Sequence, residues 1–306
     1  MMNDTEKELL KIIADMDGTP SGAYNIRSNG KSAERRVTEN IDIRNKEDKP
    51  GIDIIIRPET KGETVHIPVI IDASGLNDSV YNDFIIGENA DVTIMAGCGI
   101  HNCGNSDSSH NGIHTFFVGK NARVKYIEKH YGEGDGNGGK FMNPTTVINI
   151  AENGYMEMET SQIKGIDSTK RITKATVQSG GTLVIHEKLM THGTQTAATD
   201  FWVDLDGENS SANVVSRSVA KDNSKQIFKS NINGNNLCSG HTECDAIIMD
   251  NAKVSAIPEI NANHIDASLI HEAAIGKIAG EQLIKLMTLG LDEKQAEEEI
   301  IGGFLK

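Results

Sequence analysis

Aromatic residues are scarce in this 306-residue chain, which has one Trp, five Tyr and seven Phe. A sugar-binding groove paved with rings would need more. Proline is equally rare, at six, and cysteine occupies only four positions. Four thiols in so long a chain do not make a disulfide framework, so a reducing cytosol is the expected compartment. Basic residues number 30 against 44 acidic ones, for a formal net charge of −14. That balance argues against nucleic acid, whose phosphates need a Lys/Arg surface, and it is unfavourable for anionic lipid. No segment approaches the run of roughly 20 apolar residues that spans a bilayer. The opening Met1-Met2-Asn3-Asp4 lacks the basic and apolar regions of a secretory signal. Cytoplasmic residence without a membrane or nucleic-acid partner is the expectation.

Glycine, by contrast, is abundant at 30 residues, which fits many tight turns better than a thick helical core. Residues 5–15 place Leu9, Leu10, Ile12 and Ile13 near one helical face, a short docking or capping helix. Residues 17–52 are polar and turn-rich, so 1–52 reads as an N-terminal helix and irregular arm. From Asp53 the pattern becomes β. An apolar run, a turn with Gly or Asn and a second apolar run recur, as in Phe84–Ile86, Gly-Glu-Asn-Ala, Val92–Met95 and in Phe116–Val118, Gly-Lys-Asn-Ala, Val124–Ile127. Self-similarity at roughly 20–50 residues marks a solenoid. No helical pattern alternates with the strands, which favours a β-helix over a leucine-rich horseshoe. A Greek-key β-sandwich fits the same strand spacing.

Residues 53–270 form the expected β core, and 271–306 the expected helical tail. In the tail, Leu283, Leu286 and Met287 share a stripe that Gly290 ends. Asp292-Glu-Lys-Gln295 resembles a capping box ahead of a second helix carrying Ile300, Ile301 and Phe304. These six apolar residues are the candidate partner-binding face.

Thiols, imidazoles and carboxylates that could carry chemistry fall in two places. Cys98, His101, Cys103, His110 and His114 offer five potential ligands within one short loop-rich stretch, enough for a zinc or iron site. Their spacing matches no standard zinc motif, and a polar surface loop with incidental histidines is the competing reading. Cys244, His271 and Glu272 form the second group. The separation of Cys244 and His271 is about one solenoid rung, which would set them on neighbouring strands, with Glu272 pointing to the opposite face. An isolated cysteine is also commonly a buried structural thiol. The acidic neighbours Glu243 and Asp245 should disfavour a thiolate unless a metal holds it. Lys170-Arg171 reads as a solvated turn. The Gly-rich run Gly132–Gly139 lacks the Gly-Lys-Ser/Thr ending of a phosphate loop. No Ser/His/Asp or paired-carboxylate arrangement is visible, so an enzyme is not expected.

The last seventy residues carry a family resemblance. Cys244-Asp-Ala-Ile-Ile248, Pro258-Glu259-Ile260, His271-Glu272-Ala273-Ala274, Glu281-Gln282-Leu283, Gly290-Leu291 and Gly303-Phe304 follow one another as in SufB and SufD, the paired scaffolds of SUF iron–sulfur cluster assembly. A looser match reaches back to about Tyr81, through Tyr155–Thr160 and Asp167–Arg171. The resemblance implies a right-handed parallel β-helix. It also implies a scaffold that assembles a transient iron–sulfur cluster and passes it to apoproteins. The implied partners are a SufC-like ABC ATPase on the tail helices, a second scaffold subunit (homodimer or SufD-like heterodimer), and a cysteine desulfurase or other sulfur donor. Positions matching Cys244 and Glu272 are linked to nascent cluster binding in SufB, and His271 matches a histidine of both SufB and SufD. Ile270 departs from SufB, which commonly has another acid there. The short chain is similar to the reduced SmsB type. From another class, a β-helix enzyme or carbohydrate-binding protein with a structural zinc is the alternative.

Overall fold

The computed structural model describes residues 3–18 and 20–306. Helix α1 (Asp4–Ala14) starts at Asn3, whose side chain caps the Glu6 amide while Glu6 reciprocates on the Asn3 amide. Strands β1 (Ala23–Ser28), β2 (Lys31–Arg36), β3 (Ile41–Asn45) and β4 (Gly51–Ile56) follow, β1 antiparallel to β2 and β3 to β4. Next come β5 (Lys61–Ile71), β6 (Asn77–Ile86), β7 (Asp91–His101), β8 (Ser108–Val118), β9 (Arg123–Glu133), β10 (Lys140–Met142) and β11 (Thr145–Ile150). The later rungs are β12 (Tyr155–Lys164), β13 (Ser168–Val177), β14 (Thr182–Thr191), β15 (Thr196–Leu205) and β16 (Ser210–Ala220). The chain closes with β17 (Lys225–Gly234), β18 (Cys238–Ile248), β19 (Lys253–Ala262), β20 (Ala267–Gly276), α2 (Gly280–Thr288) and α3 (Glu293–Phe304).

Successive strands wind between two sheets, making a β-solenoid of about eight turns. One sheet runs β2-β1-β5-β7-β9-β12-β14-β16-β18-β20, the other β19-β17-β15-β13-β10-β8-β6-β4-β3, with β11 also bridging β8 and β13. The solenoid is thus the fold, and the sandwich reading is set aside. Apart from the two N-terminal antiparallel pairs, every pairing is parallel. The strands overrun the expected core on both sides: β1–β3 order much of the stretch read as an irregular arm, and β20 carries His271 and Glu272 inside a strand.

Each rung is built by alternation. Inward residues such as Val124 and Tyr126 on β9 or Leu183 and Ile185 on β14 are buried, and the residues between them face out. Equivalent inward side chains stack along the axis, as Phe84 does on Phe116 with ring centroids 4.3 Å apart. The rung length is written in side-chain ladders: Asn121 bonds Asn89 at a separation of 32 residues, while Asn261 bonds Asn233 at 28. The turns between runs close on Asn89, Asn121 and Asn153, all left-handed at φ 55–57°, a conformation Asn tolerates better than other residues with a Cβ.

Helix α1 lies against the outer face of β5, β7 and β9 through Leu9, Leu10 and Ile13. Gly97 makes this approach possible, because a Cβ there would stand 2.3 Å from the Ile13 carbonyl oxygen. The other end of the solenoid is bare. Strands β19 and β20 each have a partner on one side only, and the inward Ala267, Leu269 and His271 remain half-buried. Ile257, Ile260, Ile265, Ile270 and Ile275 are exposed on this last turn. Among the described residues no helix is long and apolar enough to cross a membrane.

Candidate functional site

Strand parity decides which of the candidate ligands can meet. On β18, Thr242 and Cys244 are buried inward while His241, Glu243 and Asp245 face out. Across the parallel ladder Thr242 pairs with His271, Glu243 with Glu272 and Cys244 with Ala273. His271 therefore shares the interior face with Cys244, one same-face step away. Two strands about 4.8 Å apart and a two-residue offset place the backbones roughly 8 Å from each other. The His271 Nδ1 is buried with no hydrogen-bond partner. Glu272 stands on the opposite face, opposite Glu243 and with Oε2 3.6 Å from the His241 Nε2.

A column of inward residues leads to Cys244. Glu128, Thr160, Glu187, Ser216 and Cys244 are in register across β9, β12, β14, β16 and β18. Arg171 on β13 reaches into it from the facing sheet, bonding Glu128 through Nη1 and standing 3.7 Å from Glu187 with Nε. Glu187 also accepts from Thr199 at 2.9 Å and from Ser216 at 2.7 Å. Arg171 is only 4% exposed, so the expected solvated turn at Lys170-Arg171 is corrected: the residue is an interior cation between two carboxylates. Burial pushes the Glu128 carboxyl up, but Arg171 and His130 outweigh it and hold it well below its ordinary range. Burial and then the neighbouring carboxylates of Glu187 and Asp245 push the Cys244 thiol up to about 12. The Glu243 carboxyl is raised as well, by burial and by Asp245.

The five candidates in the first group do not converge. Cys98, His110 and His114 point inward and, with Glu128 and His130, line an interior cavity of about 10 Å³, room for about one water. His110 bonds Asp78 at 3.2 Å and His114 bonds the Tyr126 hydroxyl at 2.9 Å. Burial lowers His114 to about 4 and raises Cys98 well above the usual thiol range. His101 and Cys103 lie at the surface, where the imidazole sits between the Cys103 Sγ and the Glu133 carboxylate at 3.0 Å from each. A chain of contacts through one ring is a relay, not a shared centre. The loop is therefore not a single five-ligand site, because alternation sends its members to two sides of the wall.

On the tail, Met287 is exposed, Leu283, Leu286, Ile300 and Phe304 are half-buried, and Ile301 is buried. Ile284 and Leu289 add exposed apolar surface to α2 and its end.

A family model described as SUF system FeS cluster assembly, SufBD core domain, matches residues 71–304. The chain belongs to the SufBD family. An iron-sulfur cluster assembly SufBD family protein of Methanocaldococcus jannaschii is 30% identical over 243 residues, 79% of this chain and 76% of its own length. One from Archaeoglobus fulgidus is 29% identical over 74% of this chain and 60% of its own. One from Pyrococcus horikoshii is 28% identical over 87% and 81%. SufBD membership supports a role in iron–sulfur cluster assembly.

Within this SufBD chain, sequence reasoning missed Glu128, Arg171, Glu187, His241 and Glu243. The first three carry a readable signal. Each is a charge at an inward position of an alternating strand, as Glu187 is between Ile185 and Leu189. His241 and Glu243 alternate with Thr242 and Cys244, so their common face was equally legible once Cys244 was read as inward.

Proposed function

We propose that this SufBD protein is a scaffold on which a nascent iron–sulfur cluster is built and from which it passes to apoproteins. The observation that supports this reading is the placement of Cys244 and His271 on one interior face of the last two strands of a sheet, at the uncapped end. Thiolate and imidazole are both iron ligands. The unpartnered Nδ1 of His271 leaves that ring free to bind. With its thiol raised to about 12, Cys244 stays protonated near neutral pH until a metal ion displaces the proton. Glu272 faces the other way and reaches the cluster only around the free edge of β20. The cluster, with the iron it is made from, is cargo here.

Further ligands come from a second copy of the chain. An open strand edge is managed by covering or pairing it, and a two-fold contact through the last turn would bring two Cys244–His271 pairs together. A SufC-like ABC ATPase docks on α2 and α3, where Ile284, Met287 and Leu289 are exposed. ATP hydrolysis belongs to that partner, and a cysteine desulfurase or other donor supplies sulfur. Deleting Gly280–Lys306 should abolish co-purification with the ATPase while far-UV dichroism stays β-rich. Unchanged ATPase affinity would refute the docking.

Anaerobic reconstitution of four single Cys→Ser variants tests the site. Cys244→Ser should lose the most iron and sulfide, and Cys98→Ser, Cys103→Ser and Cys238→Ser much less. Full iron and sulfide retention in Cys244→Ser would sink the proposal.

A further inference from the structure

We infer that the outer face of β18 and β20 holds a separate site for a divalent first-row metal ion, formed by His241, Glu243 and Glu272. Each of the three offers one ligand atom, and these atoms lie within 4.8 Å of one another. They come from two strands in fixed register, Glu243 directly opposite Glu272 and His241 one same-face step before Glu243. Like charges directly opposite on neighbouring strands repel. Among the described residues no Lys or Arg stands within 4 Å of either carboxylate, although Arg217 on β16 attracts Glu243 from further off and Asp245 hydrogen-bonds it; His241 is the one base within ion-pair distance, 3.6 Å from Glu272. A dication between the two would turn this repulsion into attraction.

The imidazole is already oriented for the task. Its Nδ1 is 2.9 Å from the Asn213 Oδ1, the next strand's residue on the same face. With Nδ1–H donating to that amide oxygen, Nε2 keeps its lone pair and points toward Glu272, 3.6 Å away. Histidines that bind metals are held in this way by an outer partner. One imidazole nitrogen and two carboxylate oxygens suit Fe²⁺, Mn²⁺ or Zn²⁺ better than a soft ion such as Cu⁺. Three protein ligands also leave positions for water, so a bound ion can exchange.

The site backs onto the proposed cluster ligands. Glu243 precedes Cys244 and Glu272 follows His271, so the two sets share strands and face opposite ways. The free edge of β20 is the way from one face to the other. Naming Fe²⁺ as the ion held in the cell, on its way to the cluster, rests on the scaffold reading; the existence of the site does not.

Anaerobic titration of the metal-free full-length protein with Mn²⁺, followed by electron paramagnetic resonance of the free ion, tests the site directly, with Fe²⁺ as competitor. One ion should bind per chain and Fe²⁺ should displace it. His241→Ala and Glu243→Gln should each weaken binding about tenfold or more, and Asn213→Ala should weaken it by about tenfold through the misplaced ring. Cys244→Ser should bind Mn²⁺ like the parent. Parental affinity in both His241→Ala and Glu243→Gln, or loss of binding in Cys244→Ser, would overturn the site, as would the absence of stoichiometric binding to the parent. The two proposals fail separately: cluster assembly indifferent to Cys244 removes the scaffold reading, while Mn²⁺ binding indifferent to His241 removes this one. These side chains face solvent, and matched thermal unfolding curves of the variants will show that the fold is unaltered.

Discussion

Cys244 lies opposite Ala273 across the β18–β20 ladder, and His271 occupies the preceding position on the same face. The thiol and the imidazole are thus side by side but offset, and something bound between them must span the step. The same register turns Glu272 outward to Glu243. One pair of strands thus carries a thiol and an imidazole on its interior side and an imidazole with two carboxylates on its outer side.

The four thiols should differ sharply in reactivity. Cys103 is exposed with an imidazole nitrogen 3.0 Å from its sulfur, whereas Cys98, Cys238 and Cys244 are buried. Iodoacetamide near neutral pH should label Cys103 first and leave Cys244, with its thiol raised to about 12, largely unmodified until the protein is unfolded. Mass spectrometry of timed samples checks this, and equal rates for Cys103 and Cys244 would contradict it.

Arg171 is the keystone of the interior charges. Replacing it with Met keeps the bulk but leaves buried Glu187 with only its hydroxyl donors and Glu128 with His130 and Tyr126 in place of a guanidinium. Removal of one partner from a buried ion pair costs about 3–5 kcal/mol. Urea unfolding of Arg171→Met should show a loss of that order, and adding Glu128→Gln should recover part of it. A loss within experimental error for Arg171→Met would mean that the charges are solvated.

Acid should loosen the fold in two steps. The His114 imidazole is neutral in the folded protein, where burial lowers it to about 4, but titrates near 6.5 when unfolded. The unfolded chain therefore binds the extra proton first. Stability is full above about pH 6.5, falls as the pH drops to about 4, and loses about 3 kcal/mol across that window. Asp78, held well below the carboxylate range by Arg27 and His110 against its burial, adds a further loss below about pH 3.8. Urea midpoints measured across this range should fall with acid, and His114→Gln should flatten the upper part. An unchanged slope in that variant would clear His114 of the effect.

The bare end should be where copies meet. Ile257 and Ile260 are exposed on β19, the outermost strand of its sheet. Ile257→Lys with Ile260→Lys should convert a dimer to a monomer by light scattering while leaving the β-rich dichroism intact. A parent protein that is monomeric yet assembles a full cluster would rule the pairing out.

Much of this fold was readable in the chain. The repeated Gly-Glu-Asn-Ala and Gly-Lys-Asn-Ala turns mark successive rungs, because left-handed Asn89 and Asn121 stack at one corner of the solenoid. The neighbouring strands of Cys244 and His271 and the outward Glu272 also follow from spacing and parity. Pattern alone did not separate a β-helix from a sandwich, since both bury alternate residues on short strands. Around Cys98, closeness in sequence does not reveal that Cys98, His110 and His114 point inward while His101 and Cys103 lie at the surface. The alternation of β13 marks Arg171 as inward, but a Lys-Arg pair does not name Glu128 and Glu187 as its partners, since both come from other rungs. Long-range electrostatics of that kind require the rung register, which one sequence only approximates.

The half-covered final turn has a dynamic meaning. In a solenoid each rung is steadied by its immediate neighbours, so stability is close to a sum of nearest-neighbour contacts. Strand β20 has such a neighbour on one side only. Fraying should begin there and proceed inward, and amide hydrogens of β20 should exchange faster than those of β14, which is flanked by β12 and β16. His271 and Glu272 then ride on a strand that should open more readily than the interior rungs. The interior face that Cys244 and His271 share would thus be uncovered by peeling back one strand while the remaining rungs stay zipped.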